Sequence, residues 1–399
     1  MIVQVVGAGL AGLAAACVLT EAGCEVVLHD SAKAAGGRAR SYFDKTLGCR
    51  IDNGNHLILS GNTATLVYLR RLGARGALAG PAEPIFPYFD LATGERWTLR
   101  LNQGAIPWWI FSRKRRVPGT GLLDYAALLK LRRARPESLV GPLLGGAGPL
   151  YRRLLEPLAI SALNTMPDEA ACGPLQTVFA ETLERGGYAA IPHYARTGLS
   201  ESFIDPALEW LNNHGAEIRL GSRITTLDPA VPTVLAVPPW VAEKVVPGLD
   251  VPNEFEAICN LHFRAAVDPG EAGFWGFVGG TTEWAFARPE TVSVTISAAN
   301  RHASRETAEL AATVWGELAR CLDLPAEMPA YRVVWEKRAT FKATPAQLKR
   351  RPGADIGRKN LAIAGDWTAT GLPSTIEGAI RSGNEAAMVI LQARKSGAF

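Results

Sequence analysis

Three glycines, Gly7, Gly9 and Gly12, stand at the spacing that lets a chain hold a phosphate by its backbone. Gly7 permits a tight turn, Gly9 lets N–H groups approach a pyrophosphate, and Gly12 lets the next helix pack close to its strand. Leu10 and Ala11 open that helix, whose unpaired N–H groups and positive dipole end suit phosphate. Asp30 lies 18 residues beyond Gly12, in reach of ribose hydroxyls. Six residues later, Gly36-Gly37-Arg38 offers a second close passage of backbone and a cation to neutralise the pyrophosphate. Two residues are candidates for moving protons. His56 is the first, because histidine titrates near neutrality. Glu377 is the second, against the competing reading that Ser374-Thr375-Ile376-Glu377 is a helix capping box. Asp52 reads as a turn residue. Asn260 and His262 lie in a strand that could face a cavity. No metal site is expected. The six cysteines are scattered without a C-x-x-C pair, which favours reduced thiols in the cytosol.

The elements that must position these groups can be read in order. Val3-Gln4-Val5-Val6 is an apolar strand, residues 10–19 form an alanine-rich helix, and Glu25-Val26-Val27-Leu28 is a second strand ending at the acid. Strand, glycine turn, helix, strand and acid together predict a Rossmann-type unit. A helix is expected over 64–72, then a hairpin with strands at 88–91 and 96–99 about the turn Thr93-Gly94-Glu95. Residues 141–190 have helical periodicity. Gly145-Gly146-Ala147-Gly148 is read as a loop, since Pro149 follows and no acid stands at the right distance. Residues 194–202 read as a loop, and Asp205-Pro206 as the start of a helix that Gly215 ends. Strands are expected at 216–220, 233–239, 254–267 and 291–297, and a helix at 307–322. Leu361-Ala362-Ile363-Ala364 is a buried strand leading into Gly365-Asp366.

The chain has 399 residues, 48% hydrophobic and 20% charged, with a formal net charge of +4. That is a globular composition for two or three domains, with no general polyanion partner. No secretory leader is read at the start, and the apolar residues 10–19 are too short to span a bilayer. One segment departs from the average. Between Arg100 and Arg135 stand nine Lys/Arg and a single acid, Asp124, beside Ile106-Pro107-Trp108-Trp109-Ile110-Phe111. Aromatics beside cations suit a lipid interface. The competing reading is a core aromatic cluster beside a solvated basic loop. Nucleic-acid binding is not expected, because no recognised signature accompanies the charge.

The start of the chain resembles the FAD-binding start of the amine-oxidase and phytoene-desaturase superfamily, through its glycines, Asp30 and Gly36-Gly37-Arg38. The end matches it through Gly365-Asp366-Trp367-Thr368 and Thr375-Ile376-Glu377-Gly378-Ala379. With Asp52-Asn53-Gly54-Asn55-His56 and Thr370-Gly371-Leu372-Pro373, the two ends resemble the squalene-associated FAD-dependent desaturases, the hydroxysqualene dehydroxylases. Residues 194–206, Asn260-Leu261-His262-Phe263 and Glu283-Trp284-Ala285-Phe286 also look like that family. Where its members have glutamine before the histidine, this chain has Asn55, and aspartate stands at 30 where the superfamily more often has glutamate.

The resemblance implies an α/β fold, with a Rossmann-type FAD-binding domain and a discontinuous α+β substrate-binding domain. The expected segments are 1–66, 197–245 and 345–399 for FAD, and 67–196 and 246–344 for substrate, with possible membrane contact over 106–135. It further implies FAD contacts at Asn53, Gly54, Asn55, Ile224, Gly365, Asp366, Thr375, Ile376 and Ala379. A helix start at Ser374 would aim its N–H groups at the flavin pyrimidine, where negative charge builds on reduction. The small meander that relatives carry between Ile224 and Thr233 is reduced or lost. The implied reaction is reduction of hydroxysqualene to squalene, in squalene and hopanoid synthesis, with an external reductant for FAD. The implied place is the cytoplasm, peripherally on the inner face of the cytoplasmic membrane. Two other functions are open. One is an oxidative polyene desaturase or amine oxidase, although residues 257–263 carry Asn260 and none of the lysine that amine oxidases commonly hold near flavin N5. The other is a prenyl-lipid binding protein without chemistry.

Overall fold

The computed structural model describes residues 1–395, so the last four positions of the expected 345–399 segment lie outside the described residues. Among the described residues, five strands form one all-parallel sheet. Its order is Glu217–Leu220, Glu25–Asp30, Ile2–Val6, Thr233–Leu235 and Leu361–Ile363. These strands fall in the three segments expected to share a domain. The helix Leu10–Glu21 links the first two strands and is buried nearly all round, with residues 10–17 and Leu19 inside. Its many alanines are the reason: small side chains let the C-terminal helix Ile376–Lys395 lie directly against it. Gly383 makes that contact, since a Cβ there would run into the Ala11 carbonyl. The two ends of the chain are therefore packed helix to helix.

A second sheet has seven strands among the described residues. Its order is Tyr331–Phe341, Phe255–Phe263, Val292–Ile296, Trp284–Ala287, Phe274–Val278, Ile85–Asp90 and Arg96–Arg100. All pairs are antiparallel except Phe274–Val278 with Ile85–Asp90. Alternation sorts the side chains onto two faces. Phe89, Ala285 and Ala287 pack with Leu310, Val314 and Trp315 of the helix Thr307–Leu322. Tyr88, Trp284 and Phe286 face the other way, towards the helical residues 126–179.

Residues 194–202 are not all loop. Pro192–Ala195 is a strand between Ile58–Leu59 and Leu78–Ala79. The α-helix Asp205–Asn213 begins at Asp205-Pro206 as expected, but a π turn, Ser200–Ile204, runs straight into it, so Asp205 is not a free N-cap. Pro206 has no N–H to give to the turn before it, and a wider turn accommodates the gap. The same solution appears at Tyr151–Leu155, two residues before Pro157. The hairpin, the helix Thr63–Arg71 and the helix Thr307–Leu322 lie where the periodicity puts them. No strand lies between Ile224 and Thr233, and Ile224 itself sits in an extended connection.

Candidate active site

The glycine turn leaves the first strand at Gly7, whose φ of 111° and whose nearness to the Ala236 carbonyl exclude a side chain. A Cβ on Gly12 would meet the Gly7 carbonyl, so turn and helix are locked together. Gly9 is different: a Cβ there would meet nothing within 4 Å. That open space is bounded by Gly37, and Gly9 forms a bridge with Gly36. Leu10 and Ala11 follow at the helix N-terminus, which no side chain caps. Backbone N–H groups, an uncapped helix start and space over a glycine are what a pyrophosphate requires, so these residues fit FAD. Asp30 is braced for a ribose: one carboxylate oxygen accepts from Ala8 N and the other from Ala32 N, each at 2.7 Å.

The two distant motifs meet. Arg38 Nη2 donates to Asp366 Oδ1 at 2.6 Å, and Nη1 donates to the Ala339 carbonyl. The cation expected to neutralise a pyrophosphate is thus paired with the carboxylate expected beside it. Arg351 holds the rest of that loop, donating to the carbonyls of Asp366, Trp367 and Thr368 while lying over the Phe341 ring. Burial pulls its pKa down to about 10. Nothing in Arg350-Arg351-Pro352 distinguishes this arginine by sequence, because a buried cation that ligates carbonyls looks like any loop cation.

Residues 52–55 lie between Arg38 and the second sheet. Asn53 Nδ2 donates to Arg38 O and Glu336 Oε2, both at 3.3 Å. Gly54 passes over the side chain of Asn260, which donates to Asn53 O at 3.0 Å. Asn55 Nδ2 donates to Thr295 Oγ1 at 3.2 Å, and Thr295 donates onward to Asn260 Oδ1 at 2.8 Å. Asp52 is not the turn residue expected. It ends the strand Cys49–Asp52, and its buried carboxylate accepts from Ser41 Oγ, Leu199 N and Arg288 Nη2 at 2.6, 2.8 and 3.2 Å. Burial still pushes that carboxyl up from its usual range. Thr295 and Arg288 were not legible as site residues; each is one alternating strand or strand-end position among many.

Beside this network opens a cavity of about 500 Å³, mostly apolar, walled by leucines, Phe86, Tyr88, Trp284 and Phe286. Its polar end carries Asn55, His56, Thr295, Ser374 and Thr375. Thr375 caps the C-terminal helix by accepting from Gly378 N at 3.0 Å, with Ile376 buried and Ala379 N bonded to Thr375 O. That helix therefore points its first N–H groups at the polar end. Asn260 and His262 are buried, but neither lines the cavity; His262 Nδ1 is paired with Ser293 Oγ at 2.7 Å.

The two proton-moving candidates separate here. His56 lines the cavity, and burial and the guanidinium groups of Arg38 and Arg288 lower its pKa to about 4. Glu377 lines it too, but its carboxylate is engaged on every side. It accepts from Ala64 N, Thr65 N and Thr65 Oγ1 at 3.0, 2.8 and 2.7 Å, and pairs with Arg381 at 3.0 Å. Neither the catalytic reading nor the expected capping box describes this. Glu377 caps a different helix, Thr63–Arg71, and so ties the two helices together.

Trp109 also departs from expectation. It is buried, edge-to-face against Tyr125 at 5.3 Å. Trp108, Ile106, Phe111 and Leu123 are the exposed apolar residues, at 63%, 58%, 59% and 89%. No helix among the described residues is long and apolar enough to cross a membrane.

Residues 10–391 match the family described as Flavin containing amine oxidoreductase. The chain is 43% identical to a hydroxysqualene dehydroxylase of Rhodopseudomonas palustris over 99% of both chains. It is 42% identical to one of Sinorhizobium fredii over 98% of both. Among solved structures it resembles cyclohexylamine oxidase from Brevibacterium oxydans, with a TM-score of 0.70 and 17% identity over 98% of this chain and 99% of that one. At that identity the likeness concerns the fold.

Proposed function

Because the chain belongs to the flavin containing amine oxidoreductase family, and within it to the hydroxysqualene dehydroxylases, we propose that its cavity holds hydroxysqualene with the carbinol at the polar end. The chain is an FAD-dependent oxidoreductase that converts hydroxysqualene to squalene. Bound FAD, once reduced, supplies the hydride that replaces the departing hydroxyl group. The observation that carries the placement is the meeting of a greasy cavity with Asn55, His56 and the start of the C-terminal helix.

The protein's own groups then have separable tasks. Leu10, Ala11, Gly9 and Gly37 hold the pyrophosphate, and Asp30 the ribose. Asn53, Gly54, Asn55, Ile224, Gly365, Asp366, Thr375, Ile376 and Ala379 complete the cofactor site in this reading. The apolar walls exclude water, which keeps an allylic cation from being captured. His56 presents its ring to the carbinol. At neutral pH the ring is neutral, with one N–H donor and one acceptor nitrogen. The small protonated fraction carries the proton on which the hydroxyl leaves as water, so this step is expected to quicken as pH falls towards 4. Glu377 and Arg381 position the helix start and do not handle protons. An external donor resupplies electrons.

The division into 1–66, 197–245 and 345–399 for cofactor, and 67–196 and 246–344 for substrate, belongs to the same reading. So does peripheral contact with the inner face of the cytoplasmic membrane, through Trp108, Phe111, Leu123 and the cations at 113–116. Trp109 supports that surface from within.

The test is anaerobic. The flavin of the loaded enzyme is reduced chemically, hydroxysqualene is added, and the oxidised band is followed while extracted lipid is analysed by mass spectrometry. Reoxidation with squalene as product is expected. No reoxidation, with the oxidised enzyme instead bleaching on a polyene or an amine, would place the protein on the oxidative branch of the family.

A further inference from the structure

We propose that the ion pair between Arg132 and Glu184 is a latch across the cavity mouth, released when Arg132 is taken by the phosphate of an anionic lipid. The latch rests on the membrane contact proposed above and adds a device to it.

The cavity's exit can be located. Of the residues lining it, those classed as exposed are Gly104, Ala105, Pro107, Leu129, Arg132 and Glu184. All but Glu184 belong to the basic, aromatic segment 100–135. The mouth of an apolar cavity therefore opens inside the most cationic surface of the chain, beside exposed Ile106, Trp108 and Leu123. That continuity is the argument for lipid as the occupant: the same surface offers rings and aliphatic side chains to acyl chains and cations to headgroups.

Across that mouth, Arg132 Nε faces Glu184 Oε2 at 3.7 Å. Arg132 comes from the last turn of the helix Ala126–Arg133, and Glu184 from the turn that follows the helix Cys172–Glu181. Their side chains are 69% and 36% exposed, so the pair is long, solvated and weak. The backbone on both sides is fixed. Gln176 Nε2 donates to the carbonyls of Leu131 and Ala134 at 2.7 and 2.8 Å, and Glu184 N donates to Phe179 O at 2.9 Å. These bonds tie the turn of Arg132 to the helix that leads to Glu184, which leaves the two side chains as the parts free to move here.

Charge supplies the trigger. Lys130, Arg133 and Arg135 flank Arg132, and no acid stands between Tyr125 and Pro136. An anionic surface is drawn to this rim. A phosphodiester offers Arg132 two oxygens for its fork of N–H donors, where Glu184 holds it by one long contact. Transfer of Arg132 uncovers the mouth where lipid lies against it. In water the pair forms often enough to slow entry by the few-fold that an exposed ion pair is worth.

The test uses the FAD-loaded full chain, its flavin reduced chemically and anaerobically, with hydroxysqualene in neutral detergent, in phosphatidylcholine vesicles and in vesicles with added phosphatidylglycerol. Turnover is read as the rate of flavin reoxidation with squalene formed. Vesicle binding is read separately by sedimentation. The wild type is expected to turn over faster on the anionic vesicles even when fully bound to both. Glu184→Gln removes the latch and leaves the cations. It should raise turnover in detergent and on neutral vesicles by about two- to fivefold, the factor an exposed ion pair is worth, and so narrow the gap to anionic vesicles. Arg132→Gln should raise detergent turnover in the same way. If Glu184→Gln binds vesicles like the wild type and leaves the ratio between vesicle types unchanged, the latch is wrong while the membrane contact stands. If the wild type does not sediment with anionic vesicles, the membrane contact fails first. Activation in detergent by inorganic phosphate, as strong as that by anionic vesicles, would overturn lipid as the releasing group.

Discussion

At the scale of single residues, His56 and His262 show how one environment gives two histidines different uses. Both are pushed down to about 4, chiefly by burial, and both feel the Arg288 cation. His262 is sealed between strands and bonded to Ser293, whereas His56 opens on the cavity. For His56→Gln, the expected outcome is retained FAD absorbance with anaerobic reoxidation slowed by on the order of 10²-fold or more, the usual weight of one acid–base group. The pair also fixes an acid limit. A histidine with a folded pKa below its unfolded 6.5 binds fewer protons folded than unfolded between those values. Stability is then complete above about pH 6.5 and is lost as pH falls towards 4. For fully buried His262 the loss is on the order of 3 kcal/mol. Thermal melts from pH 7 to 4 should fall steeply in that window, and His262→Asn should flatten the slope even if it lowers every melting point.

At the scale of elements, the C-terminal helix is the piece on which the site depends. It packs on the first helix through Gly383 and caps the helix Thr63–Arg71 through Glu377. Its Arg381 reaches back to Glu181 at 2.7 Å. Loss of the carboxylate at 377 weakens the acceptors of one buried and one half-buried backbone donor and of a buried hydroxyl. Glu377→Gln should therefore cost about 1–3 kcal/mol in chemical unfolding and weaken FAD retention. The pH dependence of turnover should keep its shape. A lost acidic limb in that profile would return Glu377 to the proton-transfer step. The sequence made this residue visible but not its task, because capping of a helix 300 residues away leaves no local pattern.

At the scale of the whole molecule, the cavity runs from the basic segment, which supplies most of its exposed lining, to His56 and the start of the C-terminal helix. Removing Trp108, Phe111 and Leu123 together with the cations at 113–116 should abolish sedimentation with anionic liposomes while detergent-phase turnover persists. Unchanged sedimentation would mean that the patch is only a solvated loop. Replacing Trp109 instead is not a control for this, since that ring is part of the core.

The sequence by itself determined the cofactor unit and its two ends. Glycine positions, an acid at the end of a strand and an alanine-rich helix are local requirements, each written where it acts. The hairpin and the helix at 307–322 were legible for the same reason, as their periodicity is contained within them. Only the tertiary structure decided that Arg38 pairs with Asp366, that Asp52 is buried against Arg288, that Arg351 ligates a loop of carbonyls, and that Trp109 is core while Trp108 is not. It also decided that the exposed residues of the cavity wall, Glu184 apart, come from the segment 100–135. Those facts depend on which face of a strand or helix meets which other, and a side chain's partner across hundreds of residues is fixed by packing, not by its neighbours in the chain.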